Sequence, residues 1–244
     1  LRDIIKGLED GARAALGVIV ACATAGIIIG VVTKTGLGLK LGSVLIDLAG
    51  GQLIPTLIFT MITSIILGMG VPTTANYVIT STIAAPTIIQ LGVPVLAAHM
   101  FAFYFGIIAD ITPPVALAAF AGSGIARSNP LLTAVNASKL AIAAFLIPYI
   151  FVLSPALLMI NTTLPQVLFI ILTSVCGMVG VAAAVSGYFI TDGKWLDRLM
   201  FFVGGLLMIH PELSTDMIGI ALMIGAFVLQ KIRANKEAKE QVQL

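Results

Sequence analysis

Charge is what this sequence has least of. Lysine and arginine number 13, aspartate and glutamate 11, and together they make up 10% of 244 residues. A soluble domain carries about 25% charged residues to cover its water-facing surface. The shortfall excludes an ordinary soluble globule. A net charge of +2 with no basic stripe also excludes a nucleic-acid surface. Cysteine is nearly missing: Cys22 and Cys176 lie inside apolar runs and read as small helix-packing residues. The two histidines, His99 and His210, are far apart, and no HExxH motif occurs. An enzyme embedded in these apolar spans would need a nucleophile–base pair or a metal cluster, and the sequence offers neither.

What is present is apolar, 59% of the chain. Residues 14–33, 48–109 and 140–191 contain no Asp, Glu, Lys or Arg. A bilayer-crossing helix needs about 20 such residues. Barrel strands would alternate strictly over about 10 residues. Val18 to Ile29 and Leu199 to Ile209 do not alternate. The fold class is therefore an all-α, multi-pass integral membrane protein, in contact with membrane lipid. The start, LRDIIKGLEDGAR, carries acidic residues and no initiator methionine. It does not read as a cleavable signal peptide. The expectation is a chain that begins inside a longer protein.

The first span is expected over Ala14 to Thr33, after an amphipathic lead. Leu37 to Leu48, with Lys40 and Asp47, reads as a short interfacial helix. Gln52 to Leu67, Thr73 to Leu91 and Val95 to Asp110 read as helices, and a short apolar continuation, Val115 to Ala121, follows the prolines. Leu131 to Met159 is expected as one long helix kinked at Pro148. Gln166 to Ile190 is a further span. Trp195 at an apolar edge suits the headgroup belt. Leu199 to Ile209 and Leu213 to Leu229 flank a polar corner of His210, Glu212 and Asp216, which reads as structural. The tail from Gln230 carries Lys231, Arg233, Lys236 and Lys239, which favours a cytoplasmic end.

Two interruptions stand out. The first is GMGVPTT, Gly68 to Thr74; the second is DITPP, Asp110 to Pro114. Two glycines and a proline make a poor helix interior. Pro113 and Pro114 lack N–H donors, and Thr112 is pushed out of the helical region by the proline after it. Freed backbone groups in hydrocarbon cost several kcal/mol each, so such breaks sit where protein or water satisfies them. They also bind: unwound carbonyls coordinate Na⁺, and half-helix N-termini face anions. Each break has hydroxyls beside it, Thr73 and Thr74 in one and Thr112 in the other. These are hard ligands suited to an alkali cation. Thr73 and Thr112 are candidate sodium ligands, and Gly68, Gly70, Pro72, Asn76, Asp110, Pro113 and Pro114 complete the candidate site. Asp110 is an ionisable group beside a membrane break, which marks it for cation binding or gating. The bland alternative is ordinary proline kinks and interhelical turns. His99 reads as a packed, hydrogen-bonded histidine, and Arg127 and Lys139 as membrane-boundary residues.

GMGVPTTANYVI (68–79), AAHMFAFYFGIIADITPPVALAAFAGSGIA (97–126) and FLIPYIFVLSPALL (145–158) occur together in one chain, with ACATAGIII (21–29) and TGLGLKL (35–41) upstream. This combination resembles the large, fused membrane subunit of tripartite ATP-independent periplasmic (TRAP) transporters. The resemblance covers nearly the whole chain and matches the C-terminal half of that permease. It implies sodium-coupled import of organic anions, dicarboxylates or sugar acids, through the cell inner membrane. Sodium would be the coupling ion, with no other cofactor. The implied partners are an extracytoplasmic solute-binding protein, the remaining half of the permease and a small membrane subunit region. The implied fold is an elevator-type transporter built from two inverted repeats. Residues 1–130 would form the second-repeat transport region, with Gly68 to Thr74 at a re-entrant hairpin tip. Thr112, Pro113 and Pro114 would lie in its discontinuous helix. Residues 131–229 would be C-terminal transmembrane helices and 230–244 a polar cytoplasmic tail. The first repeat is not in this sequence, so the other expectation is a truncated or structural membrane module without independent transport.

Overall fold

A computed structural model describes residues 2–209 and 213–242, and every element in it is helical. The chain divides into two compact units, Leu1–Ala137 and Ser138–Leu244. Among the described residues, Leu164–Ser186 and Ser214–Asn235 are long and apolar enough to cross a membrane. Bent pairs of shorter helices raise that number to 4 if each pair is one span. The protein is a multi-pass membrane protein.

In the first unit, α1 (Arg2–Thr35) is one continuous helix, so the expected amphipathic lead is part of it. Gly36, at φ 64°, ends α1 and starts α2 (Leu37–Leu48), and the two meet at 71°. A left-handed φ of this kind is tolerated by glycine without steric cost. α3 (Leu53–Gly68) and α4 (Thr73–Ile89) form a helical hairpin whose tip is Met69 to Pro72. α5 (Val95–Ile108) passes into a 3-10 turn, Ala109–Ile111, and the chain then breaks before α6 (Leu117–Ala126). α6 runs through Gly122-Ser123-Gly124, past the end expected at Ala121. The Ser123 hydroxyl is buried and donates to Phe120 O at 2.7 Å, keeping that turn helical.

α4 is the centre of this unit and packs against α1, α2, α3 and α5. Its residues Ala75, Asn76, Ile79, Thr80 and Ile83 to Ala85 are buried. α2 rests its backbone directly on α4. A Cβ added at Gly38 would stand 2.7 Å from Thr82 O, and one at Gly42 would stand 2.6 Å from Thr87 Oγ1. Small residues four apart allow such close approach where the hydrophobic effect gives helices no reason to associate.

The second unit begins within α7 (Pro130–Leu140) and holds α8 (Ile142–Leu153), a 3-10 turn at Pro155–Leu158, α9 (Leu164–Ser186), α10 (Trp195–Leu207) and α11 (Leu213–Val242). The single helix expected over Leu131 to Met159 is instead broken at Ala141 and Ser154. Pro148 sits inside α8 without ending it. The break at Ser154 follows from Pro155, which drives the residue before it out of the helical region. No sequence signal announces the break at Ala141. α9, α10 and α11 meet through glycines. Added Cβ atoms at Gly177 and Gly205 would each strike the other's carbonyl oxygen, at 2.7 and 2.5 Å. Gly204 and Gly219 repeat the arrangement between α10 and α11, at 2.9 and 2.7 Å.

Charge in this unit gathers at the end marked by exposed Trp195. Asp197 is buried and accepts from Arg233, with Nη1 to Oδ2 at 2.8 Å and Nη2 to Oδ1 at 3.1 Å. It also accepts the Lys194 N–H at 3.1 Å, which caps α10. Buried Gln230 accepts the Ile190 N–H at 3.1 Å, tying the 187–194 loop to α11.

Candidate functional site

The two interrupted motifs meet in the first unit. Gly68 closes α3 against α5: an added Cβ would lie 2.6 Å from Asn76 Nδ2, 2.9 Å from Ala109 Cβ and 2.9 Å from Gly106 O. Gly70, at φ 74°, turns the hairpin tip, and a Cβ added there would lie 4.0 Å from Val115 Cγ1. The end of the hairpin therefore lies beside both sides of the break, close against Ala109 before it and near Val115 after it. Asn76 is 1% exposed and holds the three helices together. Its Nδ2 donates to Gly106 O at 2.6 Å, while its Oδ1 has no hydrogen-bond partner.

The tip and the break both present bare backbone. Asn76 N–H donates to Pro72 O at 2.9 Å and opens the ladder of α4, leaving the N–H groups of Thr73, Thr74 and Ala75 at its N-terminus. Among the described hydrogen bonds, none reaches the carbonyls of Met69, Gly70 or Val71 at the tip, nor those of Pro113 or Pro114 at the break. Thr73 and Thr74 are exposed; Thr112 and Asp110 are half-buried. The Thr112 hydroxyl donates to Ile108 O at 2.7 Å, which spends its proton and leaves its oxygen lone pairs outward. Pro113–Pro114 is a cis peptide bond, and buried Ala116 restarts the chain in the left-handed region, at φ 38°. A non-glycine residue there costs of order 1–3 kcal/mol, and such residues cluster at functional sites.

The remaining sequence candidates fall elsewhere. His99 Nδ1 lies 3.0 Å from Tyr77 Oη, inside the α4–α5 packing. Arg127 is exposed and caps α6 at φ 51°, and Lys139 is exposed on α7. Asp216 is buried in the first turn of α11; His210 and Glu212 lie outside the described residues. Among the described residues no group of three His, Cys, Asp or Glu could hold a metal ion.

Sequence reasoning missed three positions. Gly106, which accepts from Asn76, is hidden in an aromatic run. Thr60 and Ser64 lie one turn apart on the buried face of α3, in line with Gly68, and neither hydroxyl has a partner. Most helical hydroxyls in this chain bond back to their own ladder; Thr56 and Thr63, their neighbours on α3, both do.

A family model described as "Tripartite ATP-independent periplasmic transporter, DctM component" matches residues 1–167. The chain belongs to this family. No curated protein and no solved structure matches it. The match takes in the hairpin α3–α4, the broken helix α5–α6 and everything up to the first turn of α9. The rest of α9, with α10 and α11, lies outside the matched residues.

Proposed function

We propose that this chain is part of a sodium-coupled secondary transporter of the inner membrane. It imports organic anions, of the dicarboxylate or sugar-acid class, delivered by an extracytoplasmic solute-binding protein. The remaining half of the permease and a small membrane subunit region complete the machine. The single observation that supports this reading most is the approach of the hairpin end to both sides of the helix break, Gly68 packed close against Ala109 and Gly70 near Val115.

Under this reading α3–α4 is a re-entrant hairpin and α5–α6 a discontinuous helix, together forming one repeat of an elevator-type carrier over 1–130. Residues 131–229 supply further transmembrane helices and 230–244 a cytoplasmic tail. Sodium is cargo. It is held by hard oxygens: the lone pairs of Thr112 and Thr73, and the unpaired carbonyls of the tip and the break. Thr74 and the N-terminal N–H groups of α4 face the anion, whose charge the helix dipole favours by roughly 0.3–1 kcal/mol. Gly68, Gly70, Pro72, Pro113 and Pro114 shape the backbone. Asn76 holds tip and break together, and Asp110 guards the cation side.

The test is sodium-dependent uptake of a panel of organic acids by the complete assembly in proteoliposomes. Thr112→Val keeps shape and removes one oxygen. Loss of one charge-assisted contact should weaken apparent sodium affinity by about tenfold or more. Unchanged sodium dependence would remove Thr112 from the site. Uptake that ignores sodium altogether would overturn the reading.

A further inference from the structure

α3 is built inside out. Every fourth residue from its N-cap is polar or glycine: Gln52, Thr56, Thr60, Ser64 and Gly68. Residues four apart form one continuous ridge on a helix. Gln52 at its start is exposed, Thr56, Thr60 and Ser64 are each 0% exposed, and Gly68 ends the ridge against Asn76. The opposite face is a line of isoleucines, Ile54, Ile58, Ile62 and Ile66, all exposed. The apolar face thus looks outward and the polar ridge looks into the unit. The ridge covers about 24 Å, at 1.5 Å per residue.

A hydroxyl in a helix has a partner at hand, the carbonyl four residues back. Thr56 and Thr63 use it, donating to Gln52 O at 2.7 Å and to Phe59 O at 2.9 Å. Thr60 Oγ1 and Ser64 Oγ do not, and no other described group pairs with them. Asn76 Oδ1, beside Gly68, is a third buried oxygen without a partner. Each costs about 1–3 kcal/mol if it stays dry. A turn about one side-chain bond toward the ladder would spare Thr60 and Ser64 that cost. Valine and alanine would fill the same space with no polar atom to satisfy. The packing instead keeps these oxygens off the ladder, where a mobile partner can bond them.

Spacing decides what that partner is. Successive ridge residues rise about 6 Å along the axis. One water bonded to two oxygens at about 2.8 Å each covers nearly that distance. A hard cation that gathers six or more oxygens at about 2.3–2.6 Å finds only one per turn here. The ridge is a path, not a coordination shell.

We propose that this ridge carries a file of buried water along the inside of the hairpin, from the Gln52 end of α3 to the tip. Waters bridge Thr60 to Ser64 and Ser64 to Asn76 Oδ1. Thr56, whose proton is spent on Gln52 O, continues the file outward with its lone pairs. The file brings water, and cations small enough to share it, to the tip from the membrane side on which α3 begins. That the tip holds sodium rests on the transport reading above; the file rests on the ridge alone.

Silver ion is the probe, because it travels in water, is close to sodium in size and binds thiolates. The complete transporter is prepared with Cys22→Ala and Cys176→Ala and one introduced thiol in this chain, in nitrate buffers. Silver on a thiol blocks its later alkylation after denaturation, which mass spectrometry of this chain reads. Val181, buried at 1% exposure in α9, is the apolar reference position. Ser64→Cys and Thr60→Cys should react about tenfold faster than Val181→Cys, since an apolar interior stays dry. Equal, slow rates at all three would overturn the proposal. Exchanging choline for sodium should slow the reaction of Ser64→Cys several-fold. An unchanged rate would leave the file standing and remove sodium from the tip, so the two readings fail separately. Ser64→Ala gives a measurement that needs no thiol. It removes an oxygen that the file hydrates, so the melting temperature should fall. A rise, the relief expected of a dry orphan, would overturn the file.

Discussion

Substituting Gly68 by alanine attacks the contact on which the proposed site depends. The added methyl would meet Asn76 Nδ2 at 2.6 Å, Ala109 Cβ at 2.9 Å and Gly106 O at 2.9 Å. All three are closer than carbon tolerates, and the neighbours differ in how they can yield. Asn76 can swing only by giving up its 2.6 Å bond to Gly106 O. That would leave a buried acceptor unpaired, at about 1–3 kcal/mol. Gly106 O is backbone of α5 and moves only with the helix. Overpacking of this kind costs about 1–3 kcal/mol by itself. Alanine's helix propensity returns at most about 1 kcal/mol, and less at a helix end. The net expectation is a loss of about 2–3 kcal/mol, with α3 displaced from α5 at the tip. Thermal unfolding of the complete transporter in detergent reads the first part, and sodium-driven uptake reads the second. Gly30→Ala is the control, since an added Cβ there meets nothing within 4 Å. Gly106→Ala should be milder, because the nearest atoms to its Cβ would be those of the Asn76 side chain, at 3.1 Å and beyond. A Gly68→Ala transporter as stable and active as the Gly30→Ala control would refute the argument.

Other perturbations give separate readings. Gly205→Ala would drive a Cβ to 2.5 Å from Gly177 O and 2.9 Å from Val181 N, both backbone. The α9–α10 pair should lose about 2–3 kcal/mol, seen as a lower melting temperature of the second unit's helices. Arg233→Met strips buried Asp197 of its cation while the Lys194 N–H remains. With Arg233 itself partly exposed, the loss should be about 2–3 kcal/mol, below the range for a fully buried pair. Asp197→Asn in the same chain should recover part of it, by the same unfolding measurement. Asn76→Ala deletes both the bond to Gly106 and the orphaned Oδ1. With Gly106 O left unpaired it should cost about 1–3 kcal/mol, and it should reduce uptake by more than that loss of stability explains if tip and break must stay in register.

Much of the helical layout was legible because its stops are written in residues with fixed backbone demands. Gly36, Gly92 and the Gly68 to Pro72 stretch mark real helix boundaries, and each uses a left-handed glycine. Pro155 carries the same kind of signal for the break at Ser154, but the expected helix ran past it to Met159. Pro148, expected as a kink inside a helix, does lie inside α8 and does not end it, since in a packed span its lost hydrogen bond is local. The break at Ala141 has no compositional sign, and the helix expected to end at Ala121 continues through Gly122 and Gly124 to Ala126. The breaks at 68–74 and 110–114 could be read from composition, but not that they touch. That depends on Gly106 and Ala109 being small on one face of α5, and a single helix has many small residues. Thr60 and Ser64 were equally silent, because a serine that bonds its own ladder and one that does not look alike in sequence.

The Trp195 end of the second unit and the α3–α4–α5 contact of the first handle polar groups in opposite ways, and this separates a supporting part from a working one. At the Trp195 end of the second unit, Asp197, Gln230 and Arg198 are all paired, Arg198 Nε donating to Ala184 O at 2.9 Å. Satisfied networks of this kind lock one arrangement. In the first unit Thr60 Oγ1, Ser64 Oγ and Asn76 Oδ1 are buried without partners, behind a tip and a break where the carbonyls of Met69, Gly70, Val71, Pro113 and Pro114 accept none of the described hydrogen bonds. Each such atom costs about 1–3 kcal/mol if it stays dry. Real proteins break local rules of this sort at functional sites and compensate elsewhere. Here the row from Thr60 to Gly68 runs about 12 Å along α3, straight to the tip. An arrangement that leaves oxygen after oxygen unpaired along one buried line is suited to water or a dehydrated cation, and unsuited to a static core.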